Sequence, residues 1–206
     1  MQREKVIELL RKYLPDGYED MICNWLFEHP IHFKIVNPRS TKLGDFRPGL
    51  NGKKSQITVN GNLNKYSFLI TTVHEFAHYF VFRNHGLKIQ PHGSEWKNEY
   101  RSLILQLINK KKLPKDIEIA LMNSLINTKA SSCSDIQLNR ALKNYNLTKN
   151  KAILLEEIAF GTSFWLSGKL MIKGQLRRKR YLCDEINTNK KYLVHQLAEI
   201  KPHEKK

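Results

Sequence analysis

Two histidines and a glutamate form the pattern H-E-x-x-H in the segment TTVHEFAH, residues 71–78. Positions i and i+4 of an α-helix share a face, so His74 and His78 can direct their imidazole nitrogens at one metal ion. Glu75 projects about 100° further round such a helix, where its carboxylate would reach a water molecule rather than the ion. This arrangement is typical of zinc-dependent hydrolases, in which the glutamate takes the proton of the attacking water.

The residues around the motif favour a metal site over two histidines on an ordinary surface helix. Residues 68–81, FLITTVHEFAHYFV, are apolar almost all round a helix, and a helix of that kind is buried. Buried histidine and glutamate side chains are costly unless they are paired. A metal ion would supply the partners that His74, Glu75 and His78 need.

Three residues are candidates for the third protein ligand that a catalytic zinc usually has. His85 follows His78 by seven residues, and Glu99 lies on the next predicted helix. His92 lies in the segment PHGSEW at a junction between a loop and that helix. There Gly93 would permit a tight backbone and Trp96 could pack beneath the site. The spacing alone leaves the three candidates open.

HEFAH followed by PHGSEWK resembles the SprT family of zinc metalloproteases, which includes the eukaryotic protease Spartan. The resemblance implies that His74, His78 and His92 hold the zinc ion and that Glu75 is the general base. It extends backwards, since LGDFR at 43–47 and the following ITVN strand are similar to the strands before the metal helix of the family. It also implies a role with DNA, because Spartan-type members digest proteins crosslinked to DNA.

The hydrophobic periodicity predicts the α+β class. Residues 1–110 are predicted to form a minimal zincin-like catalytic core of helices and a small antiparallel sheet. A helical linker follows at 111–150, and residues 151–206 form a basic β-hairpin module. Helices are predicted at 2–14, 18–28, 65–84, from Ser94 as a cap to about 109, at 114–127, and at 135–144 with Ser132 or Ser134 as its cap. Strands are predicted at 31–36, 43–48, 55–60, 177–186 and 191–200.

The C-terminal module departs from the resembling family. Many members end in a zinc ribbon with two C-x-x-C pairs, whereas here only Cys183 remains and Ile186 stands where its partner would be. One thiol cannot hold a structural zinc ion. We therefore predict one zinc ion per chain, a buried Cys183, and a module held by the apolar face of Tyr181, Tyr192, Val194 and Leu197.

Positive charge is concentrated in the second half of the chain. The net charge is +16; residues 1–108 carry 15 basic and 10 acidic side chains, and residues 109–206 carry 20 and 9. Such a surplus favours nucleic-acid phosphates or acidic partners, although it also serves solubility. The predicted nucleic-acid contacts, interleaved with Tyr181 and Tyr192, are Lys173, Arg177, Arg178, Lys179, Arg180, Lys190 and Lys191. The alternative is a charged edge strand that prevents aggregation.

The leading hypothesis is a zinc endopeptidase that acts on protein or peptide substrates and is recruited or activated by DNA. An extended substrate could pair with the strand at 55–60. A DNA-binding module with a structural zinc ion and no peptidase activity is the first alternative, and a metallohydrolase acting on a non-peptide bond is the second. The three scattered cysteines and the absence of a long apolar segment predict a cytoplasmic protein, associated with the nucleoid if it binds DNA, with no membrane partner.

Overall fold

The computed structural model describes residues 2–39, 41–126, 135–146 and 153–203. The chain divides into two compact units, Met1–Asn146 and Leu147–Lys206. Within the described ranges it contains both helices and two sheets, which confirms the predicted α+β class. No helix in those ranges is long and apolar enough to cross a membrane.

The first unit consists of helices packed on a three-stranded sheet. Its helices are α1 (Arg3–Arg11), α2 (Glu19–Glu28), α3 (Lys65–His85), α4 (Ser94–Asn109), α5 (Lys115–Ile126) and α6 (Ile136–Lys143). Its strands are β1 (Ile31–Val36), β2 (Gly44–Arg47) and β3 (Ser55–Asn60). The strand order is β1-β3-β2, so β3 is the central strand and β2 is an edge strand.

This sheet is mixed rather than antiparallel as predicted. β3 pairs in parallel with β1 and antiparallel with β2. The alternating residues of 31–36 and 55–60 indicate strands, but alternation records which face is buried and not which neighbour a strand takes. It was therefore the pairing, and not the strands themselves, that the sequence pattern predicted incorrectly.

Helices α5 and α6 belong to the same core as α3, so the first compact unit extends past the boundary predicted at residue 110. Ile117, Leu121, Leu138 and Leu142 are buried in the hydrophobic cluster that also holds residues of α3. The side-chain amide of Asn64, the residue that caps α3, donates to the Leu142 carbonyl (2.9 Å). An apolar helix face needs a partner surface, and for α5 and α6 that surface is the rest of the first unit.

Asp135 is the capping residue of α6, and its side chain accepts a hydrogen bond from the Leu138 backbone N–H (3.1 Å). Ser132 and Ser134, predicted as caps, lie outside the described residues. At α4 the cap position is Gly93 and Ser94 is the first helical residue, without a side-chain capping bond.

The second unit is a six-stranded sheet rather than a single hairpin. Its strands are β4 (Ile153–Leu154), β5 (Ser163–Leu166), β6 (Lys169–Arg177), β7 (Arg180–Glu185), β8 (Lys191–His195) and β9 (Glu199–Pro202), in the order β4-β9-β5-β6-β7-β8. The predicted strand 191–200 is divided, because β8 ends at His195 and β9 pairs with β5 instead.

One face of the second unit carries its small hydrophobic core. Cys183 is fully buried there with a free thiol, as predicted. Val194 is buried in the same cluster, and the half-buried rings of Tyr181 and Tyr192 pack against it. Leu197 is buried but does not belong to this cluster, so the predicted apolar face is confirmed for Tyr181, Tyr192 and Val194.

Candidate metal centre

Three histidine side chains meet in the first unit. His74 and His78 lie one turn apart on α3, and His92 lies in the loop before α4. Their Nε2 atoms form a nearly equilateral triangle, with separations of 3.2 Å between His74 and His78 and 3.1 Å from His92 to each of the others. Within the described ranges, this is the one group of three or more histidine, cysteine or acidic side chains close enough to hold a metal ion.

His92 is therefore the third member of the group, while His85 and Glu99 are not part of it. Its backbone is left-handed, with φ 59°, a conformation that histidine adopts more readily than most residues. Gly93, which was expected to provide the unusual backbone, has φ −68°. Gly93 is needed for space, because a Cβ there would lie 2.9 Å from the Gln90 carbonyl oxygen.

Burial keeps the three imidazoles neutral at pH 7, the protonation state that binds a metal ion. Burial lowers the pKa of His74 to about 3, with a further contribution from the neighbouring His78 and His92. Burial and the charge of His92 lower the pKa of His78 to about 4, and burial also lowers the pKa of His92. Neutral nitrogens that converge in this way can accept a cation in common.

Trp96 forms the floor of the site, as predicted. Its ring centroid lies 4.7 Å from those of His74 and His92 and 5.3 Å from that of His78. The indole is almost fully buried and stacks on Tyr100 at 4.8 Å. The three imidazoles thus all pack against one buried aromatic side chain.

Glu75 is buried beside the histidine cluster and is in contact with the edge strand β2. Burial raises its pKa to about 8, the charge of Asp45 adds to this, and Arg39, Lys42 and a hydrogen bond from the Phe46 backbone N–H oppose it. A divalent cation next to the carboxylate would also oppose it, by favouring the charged form. The Glu75 carboxyl group thus has a high proton affinity next to the three histidines.

The contact between β2 and Glu75 depends on Gly44. A Cβ at this position would run into Oε1 of Glu75, and would lie 2.7 Å from its Cγ and 2.8 Å from Cγ2 of Thr71. The next residue, Asp45, is held by Lys42 at 2.7 Å and Arg47 at 2.9 Å. Burial acts to raise the pKa of Asp45, but the hydrogen bonds from these two cations keep it below its usual value.

The histidines and Glu75 open onto a cleft of about 580 Å³. Its other walls come from β2 and the residues before it, from Pro91, and from Asn139 of α6. The sequence predicted the segment LGDFR as a strand near the site. It did not predict that Asn139 lines the cleft, because the position of Asn139 depends on how α6 packs. A volume of this size is within the usual range for ligand-binding clefts.

The residues of the second unit that were predicted to contact nucleic acid do not all lie on the surface. Lys173 is buried: its ammonium group donates to the Ile158 carbonyl at 2.6 Å and lies 4.1 Å from the ring centroid of Tyr181. It is therefore a structural lysine and not a surface contact for phosphate. Tyr192 is likewise engaged, since its hydroxyl accepts a hydrogen bond from Lys169 at 2.8 Å.

The remaining basic residues are exposed but lie at opposite ends of β7. Arg177, Arg178, Lys179 and Arg180 form the tip of the β6–β7 hairpin. Lys190 and Lys191 lie at the other end, about 17 Å away for a six-residue strand. Lys191 is also 3.9 Å from the Asp184 carboxylate. The sequence cluster is thus two smaller groups in space.

Comparisons with models of known protein families, with curated proteins and with solved structures found no match to this chain.

Proposed function

We propose that the chain is a zinc-dependent endopeptidase, and the observation that carries this proposal is the triangle of Nε2 atoms with Glu75 beside it. Zinc–nitrogen bonds of about 2.0–2.1 Å in a tetrahedral site place two ligand nitrogens about 3.3–3.4 Å apart. The observed separations of 3.1–3.2 Å fit such an ion with little adjustment. The resemblance of HEFAH and PHGSEWK to the SprT family supports the same assignment.

The number of ligands favours catalysis over a structural zinc ion. Structural zinc sites have four protein ligands, whereas catalytic sites have three and keep one position open. Three histidines converge here, and within the described part of the chain no fourth ligating side chain joins them. The open side faces the cleft that Glu75 also lines.

Zinc bound at this site would supply the Lewis acidity that makes water a nucleophile at neutral pH. The residues of the chain then have separate tasks. His74, His78 and His92, which pack against the Trp96 ring, would hold the ion. The Glu75 carboxylate, oriented by the Phe46 backbone N–H, accepts the proton of the attacking water and can pass it to the leaving amine.

The edge strand β2 is the element best placed to align a peptide substrate. β3, predicted for this role, is central and has both edges occupied. The Asn60 backbone N–H donates to the Leu43 carbonyl at 2.9 Å, so by the alternation of an antiparallel pair the polar groups of Gly44 and Phe46 point away from β3. The Phe46 N–H donates to Glu75, which leaves the Gly44 N–H and the Gly44 and Phe46 carbonyls for a substrate strand. Strand addition at that open edge would bring a peptide across the cleft.

DNA is the proposed recruiting partner, through the hairpin tip at Arg177–Arg180. Four consecutive basic residues are exposed there, in a chain with net charge +16. Since these side chains are arranged on a turn without a fixed base-reading element, the expected contact is with phosphates and independent of sequence.

The substitution Glu75→Gln tests the enzymatic proposal. Removing the general base while keeping the size of the side chain should lower peptide cleavage by about 10²–10⁴-fold and leave one zinc ion per chain. Glu95→Gln is the matched control, since Glu95 lies near the site on α4 but outside the cleft. Cleavage and zinc content are measured on the same preparations. Undiminished cleavage by the Glu75→Gln protein would overturn the proposal.

A further inference from the structure

An apolar pocket of about 180 Å³ opens next to the histidine cluster and is not used by the mechanism described above. It lies along the last turns of α3, where Val81 and Phe82 form one wall. Leu87 and Ile89, in the segment between α3 and α4, line it as well. His78 is also part of the lining, whereas Glu75 is not.

The pocket and the cleft share the walls Phe46, His78 and Pro91. The Phe46 ring lies parallel to the His78 imidazole, with centroids 6.4 Å apart, and 5.9 Å from the Phe82 ring. A side chain in the pocket would thus touch the residue that holds the metal ion. A substrate side chain in the pocket would therefore lie close to the proposed metal site, as expected for a residue next to the cleaved bond.

The chemistry of the lining indicates which side chain the pocket would accept. Within the described residues, its walls contain no acidic or lysine or arginine side chain, and the polar groups are those of His78 and Gln90 at the rim and the indole of Trp96. Leu87 is 62% exposed, so the protein leaves apolar surface uncovered here. A charged group would lose its hydration in this pocket without a partner, whereas an apolar side chain would gain by burial.

We propose that this pocket is the specificity site of the enzyme and that it binds one large aliphatic or aromatic side chain of the substrate, next to the scissile bond. The inference rests on the proposed peptidase function, because it names the substrate class for the same centre. Burial of a whole leucine or phenylalanine side chain favours such substrates over glycine or aspartate by roughly ten- to a hundredfold in kcat/KM.

A mixture of synthetic peptides, each randomised over eight positions, tests the proposal with the zinc-loaded full chain and DNA present. Cleavage sites are mapped by mass spectrometry. We expect leucine, isoleucine, methionine or phenylalanine to be enriched at one fixed position beside the cleaved bond. Cleavage without such enrichment would overturn the specificity site alone. Absence of all cleavage in a protein that binds zinc would overturn the peptidase function together with it.

Two phenylalanines on α3 provide a matched pair of variants. Phe82 lines the pocket, while Phe80, two residues earlier and also half-buried, packs against Trp25 and His29 instead. Phe82→Ala should widen the pocket and shift the preference towards tryptophan, with at least a fivefold change in the ratio of tryptophan to leucine cleavage. Phe80→Ala should leave that ratio unchanged. The ratio is independent of the fraction of folded protein, so an equal effect of both variants would contradict the proposal.

Discussion

At the scale of single residues, the metal centre depends on an unusual backbone at His92. A left-handed conformation costs an ordinary residue about 1–2 kcal/mol. His92 adopts it, and its ring completes the triangle of nitrogens. Strain of this kind persists where the surrounding structure holds it in place, and here Trp96 packs against the ring at 4.7 Å. The sequence suggested the ligand but gave no sign of this conformation.

Substituting asparagine for two histidines tests the ligand assignment. His92→Asn keeps a residue that tolerates positive φ but removes the imidazole, so the zinc content should fall well below one ion per chain. His85→Asn is the control, because His85 is an exposed residue at the end of α3 and is not part of the triangle. Its zinc content, measured by elemental analysis after dialysis, should stay near one. The opposite ranking would make His85 the ligand.

At the scale of elements, the central requirement is the close approach of β2 to α3. Only glycine fits at position 44, since any Cβ there would overlap the Glu75 side chain. The strand consequently packs against the Glu75 side chain from one side, and the Phe46 backbone N–H donates to its carboxylate. The packing of β2 on α3 and the position of the Glu75 carboxylate therefore both depend on Gly44.

A double-mutant cycle measures this coupling. Gly44→Ala should lower the free energy of unfolding by about 1–3 kcal/mol, as overpacking does elsewhere. Glu75→Ala removes Cγ and the carboxylate that the new methyl group would meet, so the cost of Gly44→Ala should be smaller in that background. Denaturant unfolding of the four zinc-loaded proteins gives the interaction energy. An additive result, within about 0.5 kcal/mol, would show that the two side chains do not compete for space.

The elements also show how far sequence patterns reach. Local periodicity and motif spacing predicted helix α3, the strands at 31–36 and 55–60, and the position of Trp96 beneath the histidines. Each of these features depends on residues that are close together in the chain. The same patterns did not predict the parallel pairing of β1 with β3 or the place of Asn139 in the cleft. Both depend on how distant elements pack, which no local pattern records.

At the scale of the whole molecule, the clustering of basic residues in the sequence does not show which of them are exposed and available to contact nucleic acid. Seven residues of one basic sequence cluster were predicted to contact nucleic acid, yet Lys173 is buried against Tyr181, and the others divide between the two ends of β7. A lysine with a long apolar stem can serve as a core residue when its ammonium group finds carbonyl partners, as at Ile158. Of the predicted cluster, the larger exposed basic group is the tip of the β6–β7 hairpin, residues 177–180.

The salt dependence of DNA binding distinguishes the two basic groups. The double variant Arg178→Gln, Lys179→Gln removes two charges from the hairpin tip, and Lys190→Gln, Lys191→Gln removes two from the opposite end. If the tip contacts phosphates, the first variant should reduce the slope of log K against log salt concentration by up to about 1.8 for duplex DNA. The second should change it less, because Lys191 already lies 3.9 Å from the Asp184 carboxylate. Fluorescence anisotropy with a labelled duplex at several salt concentrations gives both slopes. Equal slopes for the wild type and the tip variant would place the DNA contact elsewhere on the chain.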